Sequence, residues 1–110
     1  MRKTISILLA LFLLLSLAAC GAKEVQPDYP DAATFEAALN TGADLTGKTV
    51  RFTVGEVVPD SAFGYNLQAG EHLNFCSSSN PKVSTGDTVM VEVVEVASMM
   101  GSYIISYKMK

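Results

Sequence analysis

The sequence is poor in the residues that build catalytic centres and polyanion-binding surfaces. It has one histidine, His72, two cysteines, Cys20 and Cys76, and eight cationic side chains against eleven acidic ones. Two of the cations, Arg2 and Lys3, precede the first apolar run; beyond residue 19, six cations face eleven acids, a net charge of −5. A polyanion binder needs a basic face to neutralise phosphates, so this scarcity counts against nucleic acid as a partner. The lone histidine counts against metal and nucleophile chemistry. His72, Asn74 and Cys76 alternate along one stretch, and strand residues four apart lie about 13 Å from each other at about 3.3 Å per residue. A metal needs three or four convergent ligands, and a Cys–His pair needs hydrogen-bond contact. No metal, cofactor or enzymatic activity is therefore expected.

Long apolar runs are also missing, with one exception. Fifteen residues from Ile5 to Ala19, broken only by Ser6 and Ser16, follow the basic pair Arg2-Lys3. A membrane-spanning helix needs roughly 20 apolar residues. A charged head, a short apolar middle and small residues at the end instead describe an export signal. Leu17-Ala18-Ala19-Cys20-Gly21 resembles the bacterial lipobox, an aliphatic residue and two small ones before a cysteine. The resemblance implies a diacylglyceryl group on the Cys20 sulfur, cleavage before Cys20, and a chain held at the extracytoplasmic face of a cell membrane. Two acyl chains anchor stably where one does so marginally. An ordinary cleaved signal or an uncleaved anchor are the alternatives. With Cys20 lipidated, Cys76 has no disulfide partner; it is then a buried apolar residue or a reactive thiol.

Removing residues 1–19 leaves 91, enough for one small domain. Residues 20–30, with Gly21, Pro27 and Pro30 and little apolar content, read as a flexible tether. Residues 31–110 form the domain. Asp31 caps a predicted helix over Ala32 to Asn40, with Phe35, Ala38 and Leu39 on one face and Asn40-Thr41-Gly42 as its stop.

The rest alternates as strands. Val50, Phe52 and Val54 share a face, and the phase slips at Gly55-Glu56, the mark of a bulge in one long bent strand that Pro59-Asp60-Ser61 ends. Tyr65 to Gln68 and His72 to Cys76 make a hairpin around Gly70. Thr88 to Val96 is a second long strand whose phase slips from Val93 to Val94, and Tyr103 to Tyr107 is the last. Five strands, two of them bent, suit a small barrel; a sandwich of the same strands would leave more edge exposed.

Leu45-Thr46-Gly47-Lys48-Thr49-Val50, Gly86-Asp87-Thr88-Val89 and Gly101-Ser102-Tyr103 open strands as in bacterial OB-fold proteins. The run from Pro59 to Asn66 with Gly70 to Phe75 is similar to small OB-fold lipoproteins, related to tRNA-anticodon-binding-like domains. The resemblance implies a mainly β, five-stranded Greek-key barrel with a short N-terminal helix. Where the OB fold usually carries a helix between strands three and four, Ser77 to Lys82 leaves room for only a loop. By resemblance, a binding groove lies on the strand-2 and strand-3 face. Asp60, Ser61, Phe63, Tyr65 and Asn66 would edge one side, and Ser98, Met99, Met100 and Tyr103 the other. Phe63 and Met99 plugging the barrel ends is the competing reading. The expectation is a membrane-tethered module that binds an envelope protein, a glycan or a small ligand; the alternative is a ligand-free structural or envelope-stress accessory protein.

Overall fold

The structure is a computed structural model that describes residues 26–110. The signal run, the lipobox and Cys20 lie outside the described residues. No helix among those described is long and apolar enough to cross a membrane.

Helix α1 spans Ala32–Asn40. Asp31 adopts extended backbone and its Oδ1 accepts from the Thr34 amide at 2.7 Å, satisfying one of the free donors of the first turn. The helix stops where the Gly42 amide turns back to the Leu39 carbonyl at 2.9 Å, with Gly42 at φ 83°. Its buried face holds Phe35 and Leu39, as the spacing predicts, but also Glu36.

The domain begins before Asp31. Asp28 and Tyr29, which composition assigns to the tether, are fastened to the first strand. The Asp28 carboxylate accepts from the Thr49 amide at 2.9 Å, and the Tyr29 amide donates to the Thr49 carbonyl at 3.0 Å. The Tyr29 ring packs edge-on to Phe35 at 5.6 Å. A single aromatic among polar residues carried this segment into the fold.

Six strands follow: β1 (Thr49–Thr53), β2 (Glu56–Ser61), β3 (Gly64–Ala69), β4 (Leu73–Ser77), β5 (Thr88–Met99) and β6 (Ser102–Met109). They form one curled, barrel-like sheet in the order β1-β5-β6-β4-β3-β2, with β4 and β6 parallel and every other pair antiparallel. The count is six because the first expected strand is divided at Val54-Gly55. Those two residues bond to different neighbours: Val54 donates to the Asp87 carbonyl at 2.8 Å, and Gly55 to the Gln68 carbonyl at 2.7 Å. A side chain at Gly55 would press on that Gln68 oxygen, 3.2 Å from a Cβ. The two halves of one run thus occupy opposite edges of the sheet. β2 runs through Pro59 and ends at Ser61, within the expected Pro59-Asp60-Ser61, with a register shift after Val58. An edge strand tolerates a residue without an amide proton.

The second phase slip is a bulge between Val93 and Glu95 in the β5–β6 pairing. Val89, Val91 and Val93 point into the core, and Val96 packs partly against it. Val94 does not; it is 43% exposed.

The core is aromatic at its centre. Phe75 stacks on Phe52 at 4.0 Å and 11°, lies 5.9 Å from Phe35, and meets Tyr107 edge-on at 6.2 Å. Leu67, Leu73, Val50, Val91 and Ile105 close round this group, each 0 or 1% exposed. Complete burial stabilises the fold by about 1.5–3 kcal/mol per large side chain.

Candidate functional site

Strand register composes the outer face of β3, β4 and β6. Leu67, Phe75 and Ile105 point inward, so their strand neighbours point out. Asn66, Cys76 and Ser106 pair across the three strands as one row, and Gln68, Asn74 and Ile104 as the next. Asn66 Nδ2 donates to Asn74 Oδ1 at 3.0 Å, and Asn74 Nδ2 to the Tyr103 carbonyl at 3.1 Å. The Asn66 Oδ1 atom is buried and accepts nothing among the described residues.

Beside this row lies an open hollow of about 490 Å³. Phe63, Val94 and Ile104 line its apolar part, and Ser77, Ser106 and Lys108 its polar part. Phe63 reaches it from the turn before β3, where Gly64 at φ 95° leaves no room for a side chain: a Cβ would fall 2.4 Å from the Ser77 carbonyl oxygen. Val94 reaches it because the bulge turns it outward. Tyr107 and Cys76 also line the hollow. Among the described residues the buried Tyr107 hydroxyl has no hydrogen-bond partner, and burial, then the neighbouring Cys76, pushes its pKa up. Burial pushes the Cys76 thiol up as well. A buried thiol held protonated is a poor nucleophile, which favours the apolar reading of this cysteine over the reactive one.

The sequence-predicted residues divide into two groups. At one end of β4, Tyr65 pairs with Ser77 and Asn66 with Cys76, with Phe63 at the hollow. Asp60 is exposed. Ser61 is committed to its turn, where its hydroxyl donates to the Gly64 carbonyl and accepts from the Phe63 amide. At the other end Tyr103 pairs with Leu73 and with Ser98, and Met99 with Ser102. Leu73 and Ser77 are four strand residues apart, about 13 Å, so the two groups stand at opposite ends of β4. The hollows that they line among residues 26–110 are lined by one group or the other. Tyr103 and Ser98 line another of about 400 Å³ against Leu39 and Asn40, and the Tyr103 hydroxyl donates to Asn40 Oδ1 at 2.7 Å. Phe63 and Met99 are each 46% exposed, and Met100 is fully exposed, so these side chains do not plug the barrel ends.

A further cluster involves a residue the strand pattern does not reach. Glu36 of α1 projects its carboxylate onto the turn between β3 and β4. Its Oε1 accepts from the Glu71 amide at 2.9 Å and the His72 amide at 3.3 Å, and its Oε2 lies 2.8 Å from His72 Nδ1. Burial, the largest influence, pushes the Glu36 carboxyl pKa up. The His72 ring and the two amides outweigh it and hold the group below its ordinary range. The signal in the sequence was position: Glu36 adjoins Phe35 and precedes Leu39 by three, which puts it on the buried side of the helix. Next to this cluster, Thr53, Glu56, Gln68, Glu71, His72, Asn74 and Ser102 line a polar hollow of about 450 Å³.

No family model, curated protein or solved structure shows a significant match to this chain.

Proposed function

We propose that this chain is a bacterial lipoprotein anchored through diacylglyceryl-Cys20, and that its barrel is an OB-like Greek-key module binding an envelope protein, a glycan or a small ligand. Two features support the OB-like reading. Taken as halves of one bent strand, β1 and β2 reduce the six strands to five and bring the sheet edges together at Val54-Gly55. The parallel pair among the described strands, β4 with β6, then joins the third and fifth strands.

The observation that carries the binding role is the hollow on the β4–β6 face. It combines exposed Phe63 and Val94 with the polar side chains of Ser77, Ser106 and Lys108. An apolar wall with a few directed polar groups is the usual composition of a ligand site. Its one cation is Lys108, and a phosphate backbone asks for more. The occupant is therefore a largely uncharged molecule or segment with an apolar side.

The test is thermal unfolding of the full chain against envelope glycan fragments, short peptides and small amphiphiles, beside a Phe63→Ala variant. A ligand that raises the midpoint of the native chain and not that of the variant supports the reading, because binding to the folded state stabilises by mass action. An envelope protein that co-purifies with the native chain and is lost with Phe63→Ala makes the occupant a protein. If no compound or protein distinguishes the two, the groove has no such role. Intact mass of the membrane fraction, beside Cys20→Ala, tests the anchor separately.

A further inference from the structure

The cluster where α1 meets the β3–β4 turn carries more than a structural contact. We propose that Glu36, Glu71 and His72 form a binding site for a divalent transition-metal ion of the zinc class. One ligand atom from each lies within 4.8 Å of the others, the spread that a single ion can draw together. The donor set is one imidazole nitrogen and two carboxylates. Nitrogen ligation suits zinc, nickel and copper, whereas calcium and magnesium favour sites built wholly of oxygen.

The site has a rigid half and an adjustable half. Glu36 is 7% exposed, and the amides of Glu71 and His72 hold its Oε1, which aims Oε2 at the imidazole. Gly70 maintains this arrangement, since a Cβ there would fall 2.4 Å from Glu36 Oε1. Oε2 and His72 Nδ1 are 2.8 Å apart, a hydrogen-bond distance. Ligands about 2.0–2.1 Å from a tetrahedral zinc are separated by roughly 3.3 Å, so exchanging the shared proton for the ion needs about half an ångström of movement. His72, with its side chain 51% exposed, has room to make it. The imidazole proton then resides on Nε2 and the Nδ1 lone pair goes to the metal. Glu71 is exposed and supplies the third ligand from the surface. Three protein ligands beside a polar hollow leave a coordination position for water, and two carboxylates on a domain of net charge −5 favour a cation.

Strand spacing alone argued against a metal because it compared His72 with Cys76. The third partner arrives from the helix, 36 residues upstream of His72.

The test is calorimetric titration of the full chain with zinc chloride, with magnesium chloride as control, on the native protein, Glu71→Gln and His72→Gln. Both variants are expected to fold. Glu71 is exposed, and a glutamine at 72 can still donate to Glu36. The expected result is one zinc per chain with micromolar affinity and no response to millimolar magnesium. Glu71→Gln should weaken zinc at least tenfold and His72→Gln at least a hundredfold, with unfolding midpoints in the presence of chelator close to native. Absence of zinc binding up to 1 mM overturns the proposal. So does zinc bound equally by both variants, because the ion is then held elsewhere.

Discussion

Glu36 Oε2 and His72 Nδ1 lie 2.8 Å apart across 36 residues of sequence, and this contact ties the only helix among the described residues to the β3–β4 hairpin. Because the same carboxylate also accepts two backbone amides, it closes one end of the barrel with a charge-assisted network. Hydrogen bonds to a charged group contribute about 1.5–3 kcal/mol each, and orphaning these donors should be correspondingly costly. Glu36→Ala should lower stability by about 2–3 kcal/mol, measured by urea unfolding.

The same network makes stability acid-sensitive. The Glu36 carboxyl pKa in the fold is depressed below its ordinary value of 4.5. Its contribution is therefore complete above that ordinary value and is lost as pH falls through the lowered one. The unfolding midpoint of the native chain should drop on acidification below about pH 4.5. In Glu36→Gln, which cannot titrate, that drop should be shallower. Equal acid limbs in the two proteins would show that other carboxylates, such as the Asp31 cap, govern acid unfolding.

Gly64 and Gly70 both have positive φ, and at each an added Cβ would fall 2.4 Å from an oxygen. At Gly64 that oxygen is the backbone carbonyl of Ser77; at Gly70 it is the side chain of Glu36. Backbone in a strand pair cannot yield as a side chain can. Gly64→Ala should cost more than the roughly 1 kcal/mol of an unfavourable φ alone. In the background of Glu36→Ala, Gly70→Ala should lose part of its own cost; a double-mutant cycle measures the coupling.

Phe75 touches the rings of Phe35, Phe52 and Tyr107. Phe75→Ala should therefore destabilise by about 3–5 kcal/mol, by loss of burial and by the cavity left behind. Phe63→Ala, at a half-exposed position, should stay within about 0.5 kcal/mol of native, so it can report on the groove without disturbing the fold.

The β5–β6 hairpin turns through Met100 and Gly101 at φ 51° and 85°, the left-handed pair that a two-residue turn of this twist requires. Methionine has no means of relieving that conformation, and its side chain is fully exposed. Met100→Asn should raise stability by about 0.5–1 kcal/mol. An unchanged or lowered midpoint would mean that Met100 makes contacts in solution that its exposure does not suggest.

Much of the architecture was local and therefore legible. Asp31 before Ala32 and Gly42 after Asn40 bounded the helix because capping is settled within one turn. The phase slips at Gly55 and at Val93-Val94 marked two of the places where the sheet breaks or bulges, since a period of two cannot shift without an extra or missing residue; the register shift after Val58 carried no such signal. The outward turn of Val94 was not legible. A bulge announces that one residue is expelled, and only the partner strand decides which.

The candidate site was legible by half. Phe63 beside Gly64 identified an exposed aromatic at a turn, but its neighbours Val94, Ile104 and Tyr107 come from strands about 30 to 45 residues downstream and meet it only through pairing register. Asp28 and Tyr29 looked like tether because their partners, Thr49 and Phe35, lie outside any local window.

By itself the sequence determined the periodicities, the caps, the turns and the charge balance, because each depends on residues within a few positions of one another. The tertiary structure decided that β1 and β2 occupy opposite edges of one curled sheet, and that the two ends of β4 lie near separate hollows. It also decided that Glu36 reaches His72. Those relationships depend on which strands become neighbours, and that choice is made by burying Phe35, Phe52 and Phe75 together, a cooperative property of the whole chain that no single stretch contains.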